Sequence, residues 1–203
     1  DKNGMVMLQN CAAIKKTFSL NKSADFRGKV IENTIEGLIM EINGTEIHLR
    51  LSGIFNAYNI IAVYGVAVLM GFDELEILRS LSLLTPPPGR LEPIHDAKRQ
   101  VTWFVDYAHT DNALENVINT LIKMNSAKGK IITVTGCGGE RDKEKRPKMA
   151  RVAAKLSDEV IFTSDNPRSE DPEQILAEME AGVPTDLKYK VSSVTNRLQA
   201  IKM

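Results

Sequence analysis

The residues best suited to bind a ligand are Asp-Asn-Pro-Arg at residues 165–168, which we call the arginine loop. They directly follow a short apolar run, and loops at the carboxyl ends of strands are where open α/β sheets bind ligands. Arg168 offers a planar fork of donors for a carboxylate or phosphate, and Asn166 offers a donor and an acceptor. That pair suits an amino acid. The alternative is a surface turn whose arginine pairs with Glu170 or Asp171.

A second candidate is Gly-Cys-Gly-Gly at residues 136–139, which we call the glycine loop. Glycines let backbone amides approach a ligand, and Arg141 follows closely. The run resembles a dinucleotide-binding loop with Asp165 as its acidic partner, but Arg141 stands where the third glycine belongs. The alternative is a tight turn that only needs a positive φ. We expect Cys137 to be an ordinary buried thiol, since no base is close in sequence.

A third polar cluster, residues 106–110, ends another apolar run. Asp106 could accept hydrogen bonds from a ribose diol, and His109 could donate, accept or stack. The alternative is a pair of turn residues that closes the loop and caps the following helix.

Several kinds of site are disfavoured. The two Gly-Lys pairs, at residues 28–29 and 129–130, are not followed by Ser or Thr, so the sequence contains no Walker-type phosphate loop. His48 and His95 lack partners at metal-ligand spacing, and we expect both to be structural or surface residues. Basic residues at 141–148 alternate with acids, which is typical of a solvated face rather than a nucleic-acid patch.

Composition narrows the class of protein further. The 203 residues include 26 basic and 26 acidic side chains, so no global field favours nucleic acid or an anionic membrane. Two distant cysteines indicate no disulfide framework, and no apolar run reaches the roughly 18 residues of a membrane span. We therefore expect a cytoplasmic protein without nucleic-acid or membrane partners. Because the chain opens on Asp1 without methionine, we also expect it to be a piece of a longer protein.

Three consecutive prolines, at residues 86–88, predict a connector between two domains. Before it, alternating segments around Asn43-Gly44 predict a β-hairpin. A buried helix over 54–70 and a second helix beginning at an Asp73/Glu76 capping box follow.

After the prolines, strands and helices alternate, which predicts a parallel, doubly wound sheet. The predicted strands are residues 101–106, 130–135, 160–163 and 187–191. The predicted helices are residues 111–124, 147–156, 172–180 and 194–201, the third of them capped by Asp171.

Five motifs in this order resemble the Mur ligases: residues 53–59, 89–92, 106–110, 136–147 and 165–168. The resemblance covers essentially the whole chain. It implies that residues 1–88 are the C-terminal part of a central ATP-binding domain with a β-hairpin. Residues 89–203 would be most of a Rossmann-like, amino-acid-binding C-terminal domain.

The resemblance also implies an activity. Mur ligases use ATP and Mg²⁺ to phosphorylate a substrate carboxylate, which the incoming amine then attacks, in the cytoplasmic synthesis of peptidoglycan precursors. Asn59 would lie against adenine, Arg90 would reach the γ-phosphate, and Asp106 would bind ribose with His109 nearby. The magnesium site would lie largely upstream. We expect a monomer, and no ligase activity from this chain by itself, since it encodes neither a phosphate loop nor a catalytic residue.

The arginine loop has the form associated in this family with meso-diaminopimelate, added to UDP-MurNAc-L-Ala-D-Glu. By resemblance, Arg141, Asp165, Asn166 and Arg168 would hold that amino acid. Two alternatives stay open: a folylpolyglutamate synthetase-like ligase, which shares the architecture but matches the two loops poorly, and a non-catalytic nucleotide-binding or regulatory α/β module.

Overall fold

A computed structural model describes residues 2–125 and 129–203 of the chain. The chain divides after Thr85, at the start of the proline segment, into two compact units. In the described ranges, no helix combines the length and apolar character needed to cross a membrane.

The first unit is a four-stranded sheet with three helices. A short helix α1 (Lys2–Met7) precedes the strands β1 (Phe18–Ser19), β2 (Phe26–Asn33), β3 (Leu38–Ile42) and β4 (Thr45–Leu49), which lie in that order in the sheet. Helices α2 (Ile54–Leu69) and α3 (Glu74–Ser82) follow. The predicted hairpin is confirmed: β3 and β4 pair antiparallel, and Asn43 and Gly44 at the turn have φ of 46° and 89°.

The core of the first unit lies between the sheet and α2, where Met40 and Ile42 pack with Ile61. Tyr64, also buried, donates a hydrogen bond to Glu74 at the start of α3. Burial, followed by that bond to Glu74, raises the pKa of Tyr64 to about 12. The predicted cap of α3 is confirmed, since Asp73 accepts a hydrogen bond from the Glu76 amide at 3.1 Å.

The second unit contains a two-stranded hairpin and a three-stranded parallel sheet. The hairpin pairs β5 (Glu92–Asp96) with β6 (Val101–Val105), and the sheet has the order β7 (Ile132–Thr135), β8 (Glu159–Phe162), β9 (Val191–Ser193). Helices are α4 (Asp111–Met124), α5 (Lys145–Leu156), α6 (Pro172–Glu180) and α7 (Arg197–Lys202).

Two details of the predicted second unit are wrong. The strand near Val101 pairs antiparallel with β5 instead of joining the parallel sheet, because residues 92–96 supply an adjacent partner across a short turn. Residues 185–190 form a 3-10 helix, so the last strand begins only at Val191. The α/β alternation is otherwise confirmed: α4 and α6 have the predicted bounds, and Asp171 caps α6 by accepting from the Glu173 amide.

Candidate ligand site at the strand ends

The glycine loop and the arginine loop lie against each other. They follow the adjacent parallel strands β7 and β8, in which Thr135 is paired with Phe162. The Gly139 amide donates to the Asn166 carbonyl at 2.9 Å, and Arg168 Nη1 donates to the Gly139 carbonyl at 2.6 Å. The parallel pairing thus brings two predicted site loops together at one edge of the sheet.

The glycine loop needs glycine for space. A Cβ on Gly136 would lie 2.1 Å from the Thr163 carbonyl oxygen, and one on Gly139 would lie 1.9 Å from that of Pro167. Neither glycine has a positive φ, so the alternative of a turn that only needs positive φ is wrong. Positive φ occurs instead at Glu140 and Arg168, 52° at each.

Three of the predicted amino-acid ligands have atoms close to Gly138. A Cβ built there would lie 3.1 Å from Arg168 Nη1, 3.5 Å from the Asn166 carbonyl oxygen and 3.9 Å from Arg141 Cγ. Arg141, Asn166 and Arg168 are all exposed. A guanidinium has five N–H donors, so the bond from Arg168 to Gly139 leaves capacity for a carboxylate.

Arg168 does not pair with Glu170 or Asp171, the two acids considered as its alternative partners. Arg168 donates to the Gly139 carbonyl, Glu170 binds other cations, and Asp171 caps α6. The arginine loop is therefore not a surface turn closed by its own acids.

Asp165 is held from the C-terminal helix. Arg197 is at the start of α7, and its Nη2 lies 3.3 Å from Asp165 Oδ1. Its Nε donates a hydrogen bond to the Ser164 carbonyl at 3.0 Å. Both side chains remain half exposed. Arg197 was not among the predicted residues, because it lies far from the loop in sequence.

A buried arginine lies beneath the two loops. Arg146, near the start of α5, is 0% exposed, so the expectation of a solvated face over residues 141–148 is wrong at this position. Its Nη1 and Nη2 each lie 3.0 Å from an oxygen of Glu170, and Nη1 lies 2.7 Å from Glu178. A helical periodicity would have revealed it, because Arg146 shares one face of α5 with buried residues at the i+3, i+4, i+7 and i+8 positions: Met149, Ala150, Ala153 and Ala154.

Glu170 connects this arginine to the glycine loop. Its carboxylate also accepts from the Glu140 amide and lies 3.3 Å from Lys143 Nζ. The hydrogen bonds from Arg146 and then Glu140 lower the pKa of Glu170 to about 2. Glu170 is thus a fixed anion with several donors directed at it.

The third predicted cluster forms a basic aromatic surface. Arg90 lies over the Tyr107 ring at 5.0 Å, and the Tyr107 and His109 rings meet edge to face at 5.2 Å. Lys145 Nζ donates to the His109 carbonyl at 3.0 Å. Tyr107 remains 64% exposed although Arg90 covers one face of its ring.

Asp106 closes the loop in this cluster. Its two oxygens accept from the amides of Leu91 and Ala108, both at 2.8 Å. The cap of α4, however, is Thr110, which accepts from the Ala113 amide at 3.2 Å. Asp106 therefore closes the loop, as the alternative predicts, but it does not cap the following helix. Each carboxylate oxygen has lone pairs left to accept from a ribose hydroxyl, so the predicted ribose role stays open.

Asn59 belongs to the first unit, on α2. It is exposed, and its side chain donates to Asn56 Oδ1 at 3.3 Å. Its role beside adenine stays a prediction.

The expectations for the cysteine of the glycine loop and for two histidines can also be compared with the structure. Cys137 is buried, with Sγ 3.7 Å from Met149 Sδ, and burial raises the pKa of its thiol to about 11, as expected for an ordinary core cysteine. His48 lies 3.3 Å from Glu46 and His95 3.1 Å from Thr102. Over residues 2–125 and 129–203, no group of three or more His, Cys, Asp or Glu side chains could hold a metal ion.

Comparison with known proteins defines the class. Residues 89–203 match the family model "Mur ligase, glutamate ligase domain", and this match covers more than half of the chain. The chain therefore belongs to the Mur ligase family.

Individual relatives are more specific. A UDP-N-acetylmuramoyl-L-alanyl-D-glutamate–2,6-diaminopimelate ligase from Cytophaga hutchinsonii is 51% identical over 203 residues, which is 100% of this chain and 41% of the relative. A solved structure of a ligase of the same name superposes with a TM-score of 0.60 at 34% identity, over 98% of this chain and 42% of that one. The chain thus spans about two fifths of the length of these relatives.

A folylpolyglutamate synthase from Thermotoga maritima also superposes, with a TM-score of 0.67 over 88% of this chain and 41% of that one. At 19% identity it shares the fold alone.

Proposed function

We propose that this chain is the C-terminal part of an ATP-dependent ligase that joins meso-diaminopimelate to UDP-MurNAc-L-Ala-D-Glu during peptidoglycan precursor synthesis. The observation that carries the proposal is the pairing of the two predicted loops, in which Arg168 and Asn166 are exposed and are bonded to Gly139 of the glycine loop. The names of the relatives that match the full chain support it.

The amino acid is the part of the reaction that this site would recognise. Diaminopimelate carries a distal carboxylate, which lysine lacks, and Arg168 can bind a carboxylate through two parallel donors. Asp165 and the Asn166 side chain would accept from an ammonium group. These residues would orient the amine for attack on an acyl phosphate, so their contribution is positioning rather than covalent chemistry.

The surface made by Arg90, Tyr107 and His109 fits a phosphorylated nucleoside, because it combines a cation with an exposed ring. ATP would supply the phosphoryl group that activates the substrate carboxylate. We assign no magnesium ligand and no catalytic residue among the residues that the structure describes. Magnesium bound to nucleotide often needs only one or two protein carboxylates.

The alternatives have less support. The folylpolyglutamate synthase shares the fold at low identity, whereas relatives at about half identity carry the diaminopimelate ligase name. Membership of a ligase family likewise disfavours a regulatory module.

The test uses the full-length enzyme with ATP, magnesium and the UDP-linked dipeptide. We expect phosphate release that depends on meso-diaminopimelate and is much weaker with L-lysine. Arg168→Ala should lower kcat/KM for diaminopimelate about ten- to a hundredfold, because a charge-assisted bidentate bond is lost. The loss for lysine should be far smaller, and Arg168→Lys should restore activity only in part.

Arg99→Ala is the matched control, since Arg99 is an exposed arginine that pairs with Asp96 at the opposite end of the hairpin from Asp106. It should leave both kcat/KM values unchanged. Equal losses for the two amino acids in Arg168→Ala would show that Arg168 is a scaffold residue and would remove the reason for naming diaminopimelate.

A further inference from the structure

We infer that Glu170, held by the buried Arg146, is a positioning residue that sets the arginine loop and the glycine loop for amino-acid binding. The inference rests on the proposed function, because it assigns a role within the same site. Neither residue is among the predicted ligands, and neither needs to touch the substrate.

Glu170 holds the turn that presents Arg168. The Glu170 amide donates to the Pro167 carbonyl at 3.0 Å, which closes a turn with Arg168 as its second residue. The Glu170 carboxylate is in turn fixed by two bonds of 3.0 Å from Arg146. Movement of this carboxylate would therefore move the backbone from which Arg168 projects.

The same two residues also fix the glycine loop. The Glu140 amide donates to Glu170, and Arg146 Nη2 lies 3.4 Å from the Gly138 carbonyl oxygen. Ser169 Oγ, beside Glu170, donates to the Glu140 side chain. One partly buried ion pair thus connects α5 with both loops.

Stability alone does not account for this arrangement. Burying an ion pair costs desolvation energy, and apolar replacements are often as stable or more stable. Moreover, Arg146 Nε is buried without a hydrogen-bond partner among the described residues, which adds to the cost. A role in fixing loop geometry accounts for a charged residue on the buried face of α5.

Glu178 provides an internal control. It lies on α6 and binds the same guanidinium at 2.7 Å, but its other hydrogen bond is to Gln174 on the same helix, at 3.3 Å. Glu170→Gln and Glu178→Gln each remove one anion from Arg146 with almost no change in volume. Only the first weakens the attachment of the two loops.

The experiment measures KM for diaminopimelate, KM for ATP and the unfolding midpoint of the full-length ligase and both variants. We expect Glu170→Gln to raise KM for diaminopimelate about tenfold, as for loss of a charge-assisted bond, and Glu178→Gln to change it less than about twofold. KM for ATP should stay the same in both, which separates loop positioning from a general loss of structure. The unfolding midpoint should fall more in Glu170→Gln, because Glu170 accepts more hydrogen bonds than Glu178. Equal KM effects in the two variants, or no effect in either, would overturn the inference.

Two further arms keep the test decisive. If Glu170→Gln does not fold, Arg146→Lys replaces it, because lysine keeps the charge but cannot bind Glu170 bidentately, and KM for diaminopimelate should again rise. If the wild-type enzyme uses a different amino acid, the proposed substrate is wrong, but KM for that amino acid still tests the positioning role.

Discussion

Each unit of this chain contains a turn that depends on glycine, for different reasons. In the hairpin of the first unit, Gly44 has a φ of 89°, and an added Cβ would meet nothing within 4 Å. In the glycine loop of the second unit, φ is not positive, but a Cβ on Gly139 would lie 1.9 Å from the Pro167 carbonyl oxygen. Gly44 is needed because its backbone adopts a positive φ, and Gly139 is needed because the arginine loop leaves no space for a side chain.

This contrast has a consequence for mutations at the two glycines. A substitution at a glycine with positive φ strains the backbone of its own turn. A substitution at a glycine packed against another segment also displaces that segment. We therefore expect changes at Gly44 to act locally and changes at Gly139 to disturb the arginine loop as well.

The largest effect is expected for Gly139→Ala. The new methyl group would displace the Pro167 carbonyl and the bond from the Gly139 amide to Asn166, at a cost of about 3 kcal/mol in the free energy of unfolding, as for severe overpacking. Trp103, the single tryptophan, lies on β6 in the second unit, so its fluorescence during denaturant unfolding reports on this unit. A cost below about 0.5 kcal/mol, within the usual range of surface substitutions, would mean that the loops are not closely packed.

A smaller effect is expected for Gly44→Ala. An alanine at positive φ is strained by about 1 kcal/mol, although there is space for its methyl group. Gly44→Asn should cost less, because asparagine tolerates this conformation better. Circular dichroism senses both units and Trp103 fluorescence senses the second, so a change in unfolding seen by circular dichroism alone is assigned to the first unit and gives the comparison. If alanine and asparagine cost the same, the backbone angle is not the cause.

The smallest effect is a difference in acid sensitivity. Because the pKa of Glu170 is lowered from 4.5 to about 2 in the folded protein, its contribution is complete above pH 4.5 and is lost as the pH falls toward 2. Glu170→Gln should therefore flatten the decline in stability of the second unit across this window, measured by Trp103 fluorescence at a series of pH values. Glu46→Gln, at an exposed glutamate of the hairpin, should leave the decline unchanged. An unchanged slope in Glu170→Gln would contradict the assigned ion pair.

Much of the fold could be predicted because its signals are local. The Asn43-Gly44 turn, the Asp73 cap and the Asp171-Pro172 start of α6 each depend on residues within one turn of the chain. The pairing of the Val101 strand was predicted wrongly, because it depends on which neighbour a strand finds rather than on its own pattern.

The candidate site was predicted in part. Residues with exposed polar groups at strand ends, such as Arg168, were recognisable from their types and positions. The residues that hold them were not. The charged neighbours of Arg146 in sequence predict a surface residue, whereas it is buried. Arg197 reaches Asp165 only through the folding of α7.

The positive φ of Arg168 affects which residues this position can hold without loss of stability. With a φ of 52°, an arginine costs about 1 kcal/mol or more relative to glycine, which adopts this conformation without strain. Selection for a stable backbone would therefore favour glycine at this position. Under the proposed function the side chain of Arg168 binds the amino acid, so position 168 would be one where stability and activity are in competition.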